Sequence, residues 1–361
     1  MMTRYFYKLL LTILILALGG FSLSACHSKI SKPYQVAIFD KDHVRTFMEK
    51  ADSLVPVETV SRTQHKLFER ESFKQANQGY FAKTREGNDL KVLLTHIDQA
   101  SLEEKVLHAD GNDAYTSTTD GDYFYTTAVF ADRIDCYKYD RHLKKQAHKS
   151  IPNRDTINAS NQFLVIDDAL YLLVSAVDIK SQQPKTELWK MDKSFTVTDR
   201  IDLDESTAYL RMVNVGRTLY ITQAADGILE TGEPRPGNKV MVYDLDSGQK
   251  SYLMLHVNSP RAIYHHAKTN ELIIENDQHY NPDFAWTIYQ LDTGEERTIR
   301  FEELAGQETS SPYFMITSSN YYFLFPKRLY RYDCSNHQMT CINLDQYGVT
   351  HAHAMIAKPT P

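Results

Sequence analysis

The side chains with the widest chemical range here are histidines, arginines and loop carboxylates, and their spacing limits what they can build. His351 and His353 alternate, so on a strand both lie on one face. His265 and His266 follow the strand-like run Ala262-Ile263-Tyr264, and Arg211 and Arg261 lie in or beside runs of the same kind. Two or three imidazoles on converging strands can hold a transition metal, and arginines in that position can hold an anion. The chain has no His-Glu-x-x-His, no Gly-x-Ser-x-Gly and no glycine-rich phosphate loop. Nothing therefore assigns it a metal, another cofactor or a catalytic nucleophile.

A second group of candidates lies between the strand-like runs. Gln223 to Lys239 carries Asp226, Glu230, Glu233 and Arg235. Such carboxylates can bind Ca²⁺ or act as acid and base, but without an Asp-x-Asp-x-Asp-Gly spacing they read as a solvated acidic loop. Glu275 to Trp286 carries His279, Tyr280, Phe284 and Trp286. Exposed, Tyr280 and Trp286 could stack on a sugar or anchor a protein. Alternatively, Phe284 and Trp286 begin the next strand and pack internally. Cys334 and Cys341 flank Ser335 to Thr340, a spacing that suggests a disulfide across a hairpin. It would close a loop of about eight residues and contribute about 2.5 kcal/mol by the chain-entropy argument. Two packed thiols are the other reading. Cys136 has no evident partner and is expected to be buried.

The elements that must position these residues show as a repeat. Leu329-Tyr330-Arg331-Tyr332-Asp333 is one of a set of strands closed by aspartates at 98, 140, 192, 244, 292 and 333, with spacings of 42, 52, 52, 48 and 41. A second strand precedes each, as in Leu170-Tyr171-Leu172 or Tyr321-Tyr322-Phe323, with a polar turn and an earlier strand before most of these. A period in the forties made of strands is the mark of a β-propeller. Aspartate before a turn accepts backbone hydrogen bonds and needs no other role.

The ends set the blade count. Val36 to Asp40 reads as an aspartate-closed strand with a further strand at Val44 to Met48, and His351 to Ile356 follows the sixth unit with no blade after it. Together they make a closing blade from both termini, giving seven four-stranded blades. Six is the alternative, because residues 50–75 are poorly patterned. The middle loops are the long ones: Ser175 to Thr186, Gln223 to Lys239, and Glu275 to Ala285. Long ordered loops are where sites are built. The candidate ligand or partner face is therefore the one carrying Arg211, Arg261, Tyr280, Trp286, His351 and His353.

Two resemblances complete the reading. Asp292-Thr293-Gly294 and Asp246-Ser247-Gly248 approach the Asp-x-x-Thr-Gly turn of the bacterial quinoprotein-like and surface-protein (YVTN-type) propellers, and the strand pattern resembles theirs over most of the chain. Only Trp189 and Trp286 are present, so the recurring tryptophan of quinoprotein blades is missing and no quinone is expected. At the N-terminus, Arg4 and Lys8 precede the apolar run Leu9 to Leu18, which is too short to span a bilayer. Leu23-Ser24-Ala25-Cys26 then resembles the lipobox of bacterial lipoproteins. That resemblance implies a leader at 1–25, a lipidated Cys26, a tether over 26–33 and a propeller over 34–361 outside the cytoplasm. Loss of Arg4 and Lys8 would take the net charge from −6 to −8, which argues against a nucleic-acid partner. The expected function is a membrane-anchored, non-enzymatic binding module with a protein or carbohydrate partner. The alternative is an extracytoplasmic enzyme acting on a polysaccharide or lactone at the channel mouth.

Overall fold

A computed structural model describes residues 30–358 apart from 63–65, 71–72, 87–90, 110–115, 182, 205–207 and 309. The expected leader and Cys26 lie outside the described residues. Antiparallel sheets succeed one another along the chain as seven blades of a β-propeller, with the first strand of each blade innermost. Blade 4, for example, runs Thr156–Ile166, Ala169–Asp178, Pro184–Met191 and Val197–Asp204 from the axis outward. Among the described residues no helix is long and apolar enough to cross a membrane.

Composition follows position in the blade. Second strands are covered on both faces by neighbouring blades, so they read as unbroken buried runs. Glu271–Asn276 is buried at every residue, and Phe124–Val129 at all but its last. Outer strands such as Lys145–Pro152 alternate polar and half-buried residues, the pattern of a sheet edge facing water. Aromatic rings fill the gaps between blades. Phe81 stacks on Phe124 at 4.8 Å, and Trp286 packs on Phe314 and Phe323 at 4.7 and 5.0 Å. Trp286 is thus a packing residue, 1% exposed.

The repeating aspartates are turn residues. Oδ1 of Asp192 accepts the Ser194 hydroxyl and the Ser194 and Thr196 amides; Asp244 and Asp333 repeat this with Ser247 and Ser335. These hydrogen bonds hold all three carboxyls below their ordinary range. Asp292 departs from the pattern: its Oδ1 accepts from Asn270 Nδ2 at 2.7 Å.

The ring closes through both termini in a different order from the one expected. Val36–Phe39 is the second strand of the closing blade and pairs with Ala354–Ala357 inside and His43–Glu49 outside. Leu54–Ser61 supplies the outer strand from the stretch that looked unpatterned. Asp40 therefore closes the hairpin between second and third strands, taking the Asp42 and His43 amides at 2.9 and 2.6 Å. Residues 66–108 form a further full blade, which removes the six-blade alternative. His351 and His353 precede the C-terminal strand instead of lying on it. The expected tether is short of its full length: Ile30 is buried in the core beneath the closing blade, and the Ser31 amide donates to Glu58 at 2.9 Å.

Two of the long loops are also largely sheet. Thr156–Ile166 pairs with Ala169–Asp178 out to Thr156 and Asp178, and in blade 5 Thr218–Ile228 pairs with Pro234–Asp244 out to Ile228 and Pro234. Blades 4 and 5 thus extend as tall hairpins. Gly237 permits the second: a Cβ there would fall 2.7 Å from the Gln223 carbonyl oxygen.

Candidate functional site

A cavity of about 560 Å³ occupies the channel on the face that carries these hairpins. Its wall is made where inner strands depart from regular pairing. The pairing slips between Ser160 and Gln162 in blade 4, between Tyr209 and Met212 in blade 5, and between Pro260 and Ile263 in blade 6. A β-bulge leaves a residue unpaired and re-aims its side chain. The released residues include Asn161, Arg211 and Arg261, and all three line the cavity. In blade 2 the inner strand is split into Lys66–Phe68 and Lys74–Ala76, and Glu69, Arg70 and Phe73 between them line the same space.

The bulges are cross-braced. Arg211 Nη1 donates to the carbonyls of Asn161 and Leu210 at 3.1 and 2.9 Å. The Met212 amide donates to Gln162 Oε1 at 2.5 Å, and the Thr222 hydroxyl donates to the Arg261 carbonyl at 2.7 Å. Asn161 Nδ2 donates to Ser175 Oγ at 2.6 Å and to the Tyr209 carbonyl at 2.8 Å. Blades 4, 5 and 6 thus hold one another's irregular backbone in place, and the Asn161 and Arg211 side chains are fixed before any ligand arrives.

Charge is uneven around the wall. Arg70, Lys74, Lys83, Arg211 and Arg261 line it, against Glu69 as the one carboxylate among the described lining residues. Glu69 bonds Lys83 at 2.7 Å. Behind the wall, buried Glu275 holds Arg70 in two bonds of 2.7 and 2.9 Å, and Asp277 stands 3.6 Å from Arg261. Among the described residues, five cations face three carboxylates even when those two are included. Aromatic residues line the same space: Phe73, Tyr264, Tyr313 and Phe314. Burial raises the Tyr313 phenol well above its ordinary value, so it stays neutral. Ser117 also lines the cavity; it is 4% exposed and its hydroxyl has no hydrogen-bond partner among the described residues.

The structure brings together only part of the set expected from sequence. Arg211 and Arg261 share the cavity. Tyr280 lies on the same face outside it, its hydroxyl donating to the Pro234 carbonyl at 3.2 Å, so the blade 6 loop leans on the blade 5 hairpin. His351 is exposed, and His353 lies against Arg62, with 3.2 Å between Nε2 and Nη1. Neither histidine lines the cavity. Cys334 and Cys341 are free thiols. The register sets Tyr330 opposite Cys341 and Tyr332 opposite Met339, which leaves Cys334 in the turn beyond the pairing. Among the described residues, no three His, Cys, Asp or Glu side chains are placed to hold a metal.

Sequence reasoning did not find Asn161, Gln162, Ser117 or Arg70. One signal was available. Asn161, Arg211, Arg261 and Ser311 stand at intervals of 50 residues, and all four line the cavity.

No protein family and no curated protein matches the chain. Solved structures do. A candidate 6-phosphogluconolactonase from Bacteroides fragilis aligns over 92% of this chain and 99% of its own, with a TM-score of 0.58 and 11% identity. The WD40 domain of Neurospora crassa Pan2 aligns over 82% and 85%, with a TM-score of 0.52 and 8% identity. The dihydro-heme d1 dehydrogenase NirN aligns over 93% and 78%, with a TM-score of 0.50 and 11% identity. At these identities the likeness establishes the propeller fold and nothing finer.

Proposed function

We propose that this protein is a non-enzymatic binding module, held outside the cytoplasm by a lipid on Cys26, that takes an anionic ligand into its central cavity. The observation that carries the ligand reading is the wall: bulges in consecutive blades aim Arg211 and Arg261 into a space where cations outnumber carboxylates. Arginine presents a planar fork of donors suited to carboxylate and phosphate, and bracing among the bulges lowers the ordering cost of binding. The aromatic residues lining the same space suit the body of such a ligand. The Cys26 anchor rests on the lipobox resemblance. The likeness to a candidate 6-phosphogluconolactonase points toward lactone chemistry, but at 11% identity it carries a fold and no reaction.

The test is a thermal-shift and calorimetric screen of the purified protein against sugar phosphates, di- and tricarboxylates and acidic oligosaccharides. A binder is expected whose affinity falls with salt and is lost in Arg261→Gln. Arg211→Lys should weaken binding tenfold or more, at about 1.4 kcal/mol per decade. If neutral sugars bind as well as acidic ones, or Arg261→Gln leaves affinity unchanged, the anion reading fails.

A further inference from the structure

We infer that the lipid anchor holds the propeller in a fixed pose, with its tight-turn face against the bilayer and its cavity mouth turned away. This rests on the Cys26 anchor proposed above. In each blade the turn joining third to fourth strands, and in every blade but the closing one the turn joining first to second, lie on one face, and the tall hairpins and the cavity mouth share the other. The chain joins the ring on the tight-turn face. The Ile30 amide donates to the Ser101 carbonyl at 3.2 Å, in the turn between Lys91–Asp98 and Glu104–His108. The Tyr34 hydroxyl donates to the Gln99 carbonyl in that same turn at 3.3 Å. Glu58 takes the Ser31 and Lys32 amides at 2.9 and 3.2 Å, and the Lys358 ammonium lies 3.7 Å from the Tyr34 ring centroid. The segment is therefore strapped down from Ile30 onward, with the Ile30 side chain in the core.

Only residues 27–29 separate Cys26 from that strap. Fully extended, the four steps from Cys26 to Ile30 reach about 14 Å. A long flexible tether would let the body tumble; this one is too short to bring the opposite face to the membrane, since the 11 residues of Thr218–Ile228 alone rise at about 3.3 Å each. The occupant of the tight-turn face is thus the headgroup surface itself, at a distance set by the acyl chain's attachment. The four most exposed large apolar side chains among the described residues, Ile228, Ile157, Met254 and Ile179, lie at 63, 57, 56 and 50% exposure toward the hairpin end of blades 4 and 5. In this pose they and the cavity face the medium, where a soluble ligand or partner arrives.

The full lipidated protein, reconstituted into liposomes carrying an acceptor dye on the headgroups, tests the pose. A donor dye is attached either at Lys268, on a tight turn, or at Glu230, at a hairpin tip. Energy transfer is expected to be several-fold higher from Lys268, and a flexible Gly-Ser insertion of about 20 residues after Ser28 should abolish the difference. Protein that does not float with the liposomes overturns the anchor and the pose together. Protein that floats but transfers equally from both positions, or more strongly from Glu230, overturns the pose alone.

Discussion

Arg62 ties three parts of the ring together. Its guanidinium forms a two-bond ion pair with Glu104 at 2.7 and 3.0 Å, donates to the Asp40 carbonyl at 2.8 Å and lies 4.8 Å from the Phe68 ring centroid. Glu104 belongs to the next blade, and Asp40 to the hairpin of the closing one. Arg62→Ala should lower unfolding free energy by about 3–5 kcal/mol, the usual result of leaving one buried charge without its partner; urea titration measures it. His353 beside it gives a pH dependence. Burial first, and then the Arg62 charge, push its pKa from about 6.5 down to about 3. The unfolded chain therefore binds a proton that the folded chain refuses. The stability this neutral imidazole contributes is complete above its unfolded pKa and falls as pH drops from about 6.5 toward 3, by at most about 1.4 kcal/mol per pH unit. Unfolding at pH 7 and pH 5 should show a larger acid loss in the wild type than in His353→Gln. Parallel losses in the two proteins would remove His353 as the source.

At the scale of elements, the closing strand carries the largest share of risk. Ala354–Ala357 is buried throughout and pairs with Val36–Phe39 along its whole length. Deleting 354–357 removes Met355 and Ile356 from the core, at about 2–5 kcal/mol each, and leaves a bare hydrophobic edge that invites pairing with other chains. The truncated protein should melt earlier and sediment as aggregates; an unchanged melting temperature would deny the strand this role. The third strands were legible in the sequence because Asp244-type turns must follow a strand of alternating large side chains, and backbone amides need that carboxylate. Second strands showed as apolar runs because both faces are covered. Leu54–Ser61 stayed hidden because an outer strand needs little apolar surface, and Pro56 within it suits an edge. The cavity was half legible. Arg211 and Arg261 stood out as charges in inner strands, but the bulges that aim them have no side-chain signature. They depend on bonds from other blades, such as Gln162 to the Met212 amide. Asn161 and Gln162 read locally as nothing more than two polar residues before a strand.

For the whole molecule, the anchor reading makes a prediction independent of the cavity. Cys26→Ala should move the protein from the membrane fraction to the soluble one and abolish labelling by a palmitate analogue; a labelled, membrane-bound mutant would contradict it. The closing blade has a further consequence, and it concerns time. Val36 pairs with Ala357, so one strand of the closing blade waits for another made about 320 residues later. At 5–20 residues per second that wait is about 15–60 s, during which the closing blade lacks its inner strand and the ring stays an open arc. Nascent chains arrested before Ala354 should show Val36–Phe39 open to protease, while released chains that carry Ala354–Ala357 should not. Ala354–Ala357 thus acts as a checkpoint on synthesis: a chain cut short before this strand is left unlatched, and quality-control proteases can tell it from one that has closed.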